Sequence, residues 1–458
     1  MSGVILSIDI GTSSLKAAFI GFDGRLLAFS RSAYRLGGPS SCWEDAFRRA
    51  LTELREQSPG SLIDALCVSG NGPTLVPLGR GGEALQPLYW YDGRTLNKAA
   101  ASFFLPRADW LKENSPQEYE SVSLFLSSHE WLSHRLGAEP YTALPQPAYE
   151  PYYWDDEQCR SFGIDRGKFP PFAKMGSPVG KVSAVAARSH AASGLKSGTP
   201  IIAGGPDFIT ALIGTRAMED GDTCDRAGSS EGINYCAHTE QPCLNGLEGN
   251  TAKDLRVLPH AMEGLWNIGA LIPSSGRLFD WFRNSTGQEC RPYDELLAEL
   301  IPSPHDTELF RDVELISLSS LPDAAMPLST PDRGRAVLCA IGLSVRAAVQ
   351  DLNRLGFPVK EMRVSGGQGK NPLWNQLKAD ISGVSLLIPE IRDGELAGNA
   401  ALAAAALGAA SGIQEAADGM IRFTERCEAK AETAAFWEEK FNLFFEKCSR
   451  EAQREAEK

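Results

Sequence analysis

Residues 8 to 19 read Ile-Asp-Ile-Gly-Thr-Ser-Ser-Leu-Lys-Ala-Ala-Phe, and the interpretation of this stretch decides the fold. Val4 to Asp9 is an apolar run, Leu15 to Ile20 a second and Arg25 to Ser30 a third, separated by Gly11-Thr12-Ser13-Ser14 and by Asp23-Gly24. Glycine and short hydroxyl residues between apolar runs are turn formers, so the pattern predicts a three-stranded meander. Asp9 ends the first strand at a position where alternation favours an apolar side chain. A carboxylate there, beside the backbone amides of a tight turn, suits a hydrated cation and a phosphate. The simpler alternative is a hairpin with a solvated aspartate.

Working outward, Trp43-Glu44-Asp45 leads into AFRRALTELREQ, where Phe47, Leu51 and Leu54 recur at helical spacing, and then into the strand-like runs ALCVSG and TLVPL. The order βββαβ places a helix on one face of a sheet. Between Pro140 and Pro178 seven prolines and the aromatics Tyr149, Tyr152, Tyr153 and Trp154 read as a surface excursion. Regular patterning resumes at TPIIAGGPDF, a strand that runs into the helix-like FITALIGTRAM. Asp207 stands where that strand ends and the helix starts. A carboxylate so placed could take a hydroxyl proton while the oxygen attacks phosphorus, or could cap the helix; the two roles are compatible.

A second glycine-hydroxyl turn follows at Ala227-Gly228-Ser229-Ser230-Glu231-Gly232. Beyond it, RAVLCAIGLSVRAAVQDLNRL reads as a long helix, EMRVSGG as a strand ending in a turn, NPLWNQLKADISG as a helix, VSLLIP as a strand and ELAGNAALAAAALGAA as a small-residue helix. Two such turns more than two hundred residues apart predict duplicated α/β domains, about 1–240 and 241–458, flanking an active-site cleft. No short tandem period is present. The chain should end in a helix packing on Phe436, Phe441, Phe444 and Phe445.

Composition narrows the function. With 458 residues, 43% of them hydrophobic and 22% charged, the chain can bury two cores of ordinary size. A net charge of −13 argues against nucleic acid or an anionic membrane as partner, while still allowing an anionic ligand bound by helix ends and backbone amides. The opening MSGVILSIDIGTSS has no basic region before its apolar residues, so a cytoplasmic location is expected; a homodimer is compatible with the sequence. Ten cysteines without a CxxC pair are expected as buried thiols. Neither Gly70-Asn71-Gly72 nor Gly367-Gln368-Gly369 continues as G-x-G-x-x-G, no P-loop is present, and His129 and His134 are five residues apart, off a common helix face. A dehydrogenase and a zinc hydrolase are disfavoured.

These pieces together resemble the FGGY family of carbohydrate kinases, whose members include glycerol, gluconate, ribulose and xylulose kinases. The resemblance runs through DIGTSSLKAAF (9–19), WED (43–45), VSGNGPTLVPL (68–78), WYDGR (90–94), GLKSGTPIIAGGPDFITALIG (194–214), GSSEG (228–232), SGRLFDWFRN (275–284) and GGQGKNPLWNQLKADISG (366–383). It implies two ribonuclease-H-like domains of the actin/hexokinase superfold, with acceptor on the first, ATP on the second, and closure about a connection near 240 to 255 that keeps water out. It further implies that Asp207 is the general base and that Asp9 organises Mg²⁺ through water. Thr12, Ser13, Ser14 and Lys16 would border the terminal phosphates, Ser229 and Ser230 would form the second hydroxyl turn, and Gly276, Asp280, Gly367, Gln368 and Asn371 would hold the adenosine half.

Two departures bear on the acceptor. Where xylulose kinases carry a Met-His pair and glycerol kinases an Arg-Glu pair, this chain has Gly72-Pro73, and the Gly-Glu-Arg-Thr-Pro stretch before the long helix is reduced to SSLPDAAMPLSTPDRGRAV. Acceptor selection is therefore expected to fall to Asn71, Thr74, Trp43, Trp90, Asp92 and Arg94 around Gly72 and Pro73. Tryptophan faces and a neutral amide favour a neutral ketose such as xylulose or ribulose, or a polyol, over an aldonate. The alternative is a catalytically impaired kinase-fold sugar sensor, against which the retention of Asp9 and Asp207 speaks.

Overall fold

Strand β1 (Val4–Ile10) is buried along its whole length, as an apolar run covered on both faces should be. It pairs antiparallel with β2 (Ser14–Gly21), which pairs antiparallel with β3 (Leu26–Ala33). On its other side β1 runs parallel to β4 (Ile63–Gly70). The sheet is completed by β5 (Pro178–Lys181) and β6 (Pro200–Pro206) in the order β3-β2-β1-β4-β6-β5. The computed structural model describes residues 3–93, 101–191, 194–238 and 255–456.

The chain divides into two units: Met1–Arg216 with Pro259–Glu263 and Gly394–Arg422, and Ala217–Leu258 with Gly264–Asp393 and Phe423–Lys458. The division falls after Arg216, where the sequence reading puts it at 240, and a late segment returns to the first unit. Residues 239–254, where the reading puts most of the connecting hinge, lie outside the described residues.

Within the first unit the helix Ser41–Gln57 buries Trp43, Ala46, Phe47, Ala50, Leu51 and Leu54, the i, i+3, i+4 stripe that the sequence shows. The returning helix Gly394–Ala406 packs on β1 and on the helix Asp207–Gly214. A Cβ at Gly214 would lie 1.8 Å from the carbonyl oxygen of Gly394, and one at Gly398 2.0 Å from that of Thr210. Only glycine allows these backbones to touch, which explains the small-residue composition of the segment. The helix begun at Asp207 ends at Gly214, short of the predicted Met218.

The expected surface excursion is instead a satellite core. Tyr149, Tyr153 and Trp154 are 1–3% exposed, and Trp154 packs on Phe104, Phe169 and Phe172.

The second unit repeats the plan of the first. Its strands are β7 (Thr223–Ala227), β8 (Glu231–Ala237), β9 (Leu255–Pro259), β10 (Trp266–Ile272), β11 (Glu361–Ser365), β12 (Ser385–Pro389) and β13 (Phe423–Cys427), in the order β9-β10-β8-β7-β11-β12-β13. Antiparallel β7, β8 and β10 correspond to β1, β2 and β3, and parallel β11 and β12 to β4 and β6. The helix Thr330–Arg354, capped by Ser329 with proline in its first turn, lies in the core. Among the described residues it is the one helix long and apolar enough to cross a membrane.

The last helix, Ala431–Ala456, packs through Trp437, Phe441 and Phe444, whereas Phe445, expected in the contact, is 45% exposed. Six of the nine described cysteines are buried, Cys290 is exposed, and Cys243 falls outside the described residues.

Candidate active site

Gly11 closes the first turn by donating its amide to the Ser14 carbonyl at 3.0 Å. The antiparallel register then sets Lys16 opposite Asp9. Asp9 is 2% exposed; its Oδ1 accepts from Ser69 Oγ at 2.9 Å and its Oδ2 lies 3.8 Å from Lys16 Nζ. Lys16 is also 3.7 Å from Glu395 of the returning helix. Burial, then the Glu395 and Asp207 charges, push the Asp9 carboxyl well above the usual carboxylate range, against the pull of Lys16 and Ser69. Asp9 and Glu395 thus flank one ammonium while the Asp207 charge is felt at Asp9, and their carboxyl oxygens are the hard donors that Mg²⁺ prefers. Among the described residues no three His, Cys, Asp or Glu side chains converge as a ligand set.

Asp207 is the first residue of its helix, with Pro206 at the cap and with Oδ1 accepting the Phe208 amide at 2.7 Å. The register brings it to the first turn: Ile10 pairs with Gly70, and Gly70 with Pro206. Asp9, Asn71 and Asp207 therefore stand at the carboxyl ends of three neighbouring parallel strands.

Several acceptor candidates prove to be braces. Asn71 Nδ2 donates to the carbonyls of Ile10 at 3.1 Å and Gly11 at 2.6 Å, and its Oδ1 accepts from Thr74 Oγ1 at 2.6 Å. Thr74 in turn accepts the Trp90 amide at 3.4 Å, and Trp90 Nε1 donates to Thr12 Oγ1 at 3.3 Å. The chain Gly11–Asn71–Thr74–Trp90–Thr12 ties the loop after β4 to the first turn, and both groups of the Asn71 amide are engaged within it.

Trp43 is 1% exposed, packed edge-on against Tyr89 and Trp131, which leaves no face for a sugar; the expectation is corrected to a core residue. Gly72 and Pro73, joined by a cis peptide bond, and Trp90 and Asp92 are partly exposed, and a Cβ on Gly72 would meet nothing within 4 Å. Arg94 lies outside the described residues. Ser14 is buried with its hydroxyl accepting from Arg31 at 3.0 Å, while Thr12 is partly exposed and Ser13 exposed.

Four residues that the reading passed over belong here. Glu395 and Asn399 sit in an alanine-rich run that reads as plain core helix; Asn399 donates to the Ile8 carbonyl at 2.8 Å and to Ser69 at 2.9 Å. Two polar residues one helical turn apart in an apolar run were the available signal. Arg107, 2% exposed, donates to the Trp90 carbonyl at 3.0 Å; burial lowers its pKa to about 10 against the pull of Asp92. Ser128 Oγ donates to the Asn71 carbonyl at 3.1 Å.

In the second unit the structure gathers Ser229, Ser230, Gly276 and Gln368. Gly228 donates to the Ser230 carbonyl at 3.1 Å, and Ser229 is exposed at the tip. The helix Ser275–Ser285 comes so near that a Cβ on Gly276 would lie 2.4 Å from the Gly228 oxygen, where Gln368 Nε2 also donates at 2.9 Å. Gly367 is exposed, and a Cβ there would meet nothing within 4 Å. Asp280 accepts from the Tyr293 hydroxyl, and Asn371 caps the helix Pro372–Ser382 while donating to Asp294 at 2.7 Å.

Residues 92–214 match the family model described as the N-terminal domain of the FGGY family of carbohydrate kinases, and residues 226–407 match that of its C-terminal domain. The chain is 24% identical to the xylulose kinase of Bacillus subtilis (strain 168), over 96% of this chain and 95% of that protein. It is 25% identical to the L-fuculokinase of Salmonella typhi, over 87% of this chain and 91% of that one. The crystal structure of gluconate kinase from Lactobacillus acidophilus superimposes with a TM-score of 0.78 at 18% identity, covering 97% of each chain.

Proposed function

We propose that this chain, which belongs to the FGGY family of carbohydrate kinases, transfers the γ-phosphoryl group of ATP to a hydroxyl of a neutral ketose or polyol, with Asp207 as general base. The observation that carries this reading is the meeting of Asp9, Asn71 and Asp207 at three adjacent strand ends, beside the Gly11–Ser13 turn and with Lys16 across the hairpin.

We assign the acceptor, the base and the cation to the first unit and the nucleotide's second hydroxyl turn to the second. Asp207, at its helix start, takes the acceptor proton as the oxygen attacks phosphorus in line. Lys16 and the turn amides stabilise charge on the transferred group, and the Asn71–Thr74–Trp90 chain holds that turn still during transfer. Asp9 would hold Mg²⁺ through water; when bound, the ion supplies charge neutralisation on the phosphates. Ser229 and Ser230 receive the remaining phosphate oxygens, and Gly276, Gly367 and Gln368 border the adenosine. The cytoplasm supplies ATP and suits the acidic charge balance.

For the acceptor, a Cβ on Gly72 would meet nothing within 4 Å, and Pro73, Trp90 and Asp92, which we assign to the acceptor with it, carry no cation for a carboxylate. Arg107 is sealed and engaged by main-chain carbonyls. ADP release measured against ketoses, polyols and aldonates, with a no-acceptor control, tests the reading. A ketose or polyol should be turned over, and Asp207→Asn should lower that turnover by about 10²- to 10⁴-fold while ATP binding persists. Robust use of gluconate with no use of ketoses or polyols would refute the neutral acceptor, and an Asp207→Asn variant of ordinary turnover would refute the base.

A further inference from the structure

Beneath the second hydroxyl turn lies a group of charges that the reaction does not use. Lys378, in the helix Pro372–Ser382, places Nζ 2.9 Å from Asp225 Oδ2 and in contact with Glu231 Oε1; the three side chains are 0–1% exposed. Asp225 belongs to β7 and Glu231 opens β8, and the pair Ala227–Glu231 closes the hairpin whose tip is Gly228-Ser229-Ser230. The charges are linked to the tip: Ser275 Oγ donates to Glu231 Oε2 at 2.6 Å, and Gln368 Nε2 donates both to Ser275 at 2.8 Å and to the Gly228 carbonyl at 2.9 Å.

Two carboxylates and one ammonium do not balance. Fully ionised, the sealed group carries one net negative charge. Asp225 Oδ1 has no donor, and a proton on Asp225 would both cancel the excess charge and supply a hydrogen bond toward Glu231. The ionisable groups facing Asp225 are Glu231 from β8 and Lys378 from its helix. β11 presents Val364, the helix Thr330–Arg354 contributes apolar residues such as Val345, and the helix Ser275–Ser285 adds the Ser275 hydroxyl to this network.

We infer that the Lys378–Asp225–Glu231 triad is a proton-holding base under the second turn, and that its protonation state sets how tightly the turn takes the anionic end of ATP. The inference rests on the assignment of Gly228–Ser230 to the ATP phosphates. Burial, followed by the Glu231 charge, pushes the Asp225 carboxyl up to about 8 against the pull of Lys378, so the proton is held at neutral pH and lost above it. Once it is lost, an uncompensated negative charge lies under the turn that must receive phosphate, and affinity falls. Asp225 is a positioning residue here, acting through Glu231, Ser275 and Gln368.

The test is calorimetric binding of ATP, in excess Mg²⁺, to the full chain from pH 6.5 to 9.5, with the thermal midpoint recorded at each pH to exclude unfolding. The unaltered protein should lose affinity by about three- to tenfold between pH 7 and 9.5. Asp225→Asn and Glu231→Gln each leave Lys378 facing a single carboxylate, so each should remove that dependence. A merely structural triad would weaken binding equally at every pH. A flat profile in the unaltered protein, or an undiminished slope in either folded variant, overturns the inference. ATP binding that is insensitive to Ser229→Ala with Ser230→Ala overturns the turn's assignment itself, and is distinguishable because it fails at every pH.

Discussion

The two hydroxyl turns share a backbone plan and differ in where they keep their charge. Each follows the first strand of an antiparallel meander whose other neighbour is parallel. Two residues before Gly11 stands Asp9, whereas two residues before Gly228 stands Arg226. Around the first turn the charged set reaches solvent, with the Lys16 and Glu395 side chains 18% and 15% exposed; under the second the triad is sealed, with Lys378 at 1%. An open set with excess negative charge can recruit a cation and adjust to a reacting group. A sealed set can only shape the turn above it. On the proposed reading the duplication would supply two turns for phosphate, and the residues beside each would assign chemistry to the first and binding to the second.

If that division holds, altering Asp9 should cost turnover more than nucleotide affinity. Asp9→Ala removes the organiser of a cation held through water, a change that costs about 10- to 100-fold in metal affinity or activity. A Mg²⁺ titration of the variant should shift accordingly, with ATP affinity far less affected. A titration that overlays the unaltered protein's would move the cation site away from β1 and break the comparison at its stronger end.

The matching change in the second unit should show the opposite balance. Ser229→Ala with Ser230→Ala removes neutral hydroxyl donors and should raise the half-saturating ATP concentration by about three- to tenfold, with turnover at saturating ATP little changed. Loss of turnover without loss of affinity would mean that both turns serve the chemistry.

The sequence made some parts of this legible and hid others for definite reasons. The turns at Gly11 and Gly228 were readable because turn chemistry is local: a glycine, short hydroxyls and flanking apolar runs lie within a dozen residues. Asp207 was readable because strand end and helix start are consecutive. Glu395 was hidden because its partners are remote in sequence, and only the close glycine contacts of its helix bring it to Lys16. Lys378 was hidden within the helix-like NPLWNQLKADISG, since nothing local reveals that Asp225 and Glu231 are sealed against it. Trp43 was misread for the converse reason: a tryptophan near a predicted site invites a ligand, while the Ser41–Gln57 stripe already places it inside. In the last helix Trp437 occupies the core contact and Phe445 points outward, a rotation of the helix that four phenylalanines alone do not fix.

Glu395 offers the finest test, because its removal should move two readouts in opposite directions. Its carboxylate lies 3.7 Å from Lys16 and adds negative charge to the surroundings of Asp9. Glu395→Gln keeps the shape and removes one charge from a partly open site. A unit charge several ångströms away in a largely solvent-screened medium is worth about 0.4 to 1 kcal/mol, or about two- to fivefold in an equilibrium. The cation loses attraction, so the Mg²⁺ concentration for half-maximal activity should rise by about that factor. Lys16 is freed from one competing carboxylate and the incoming phosphates meet less repulsion, so the half-saturating ATP concentration, measured at saturating Mg²⁺, should fall. A loss of packing would worsen both constants together. Opposite movement would identify Glu395 as the balance between cation and nucleotide at the first turn; parallel worsening would reduce it to a helix residue that happens to lie near Lys16.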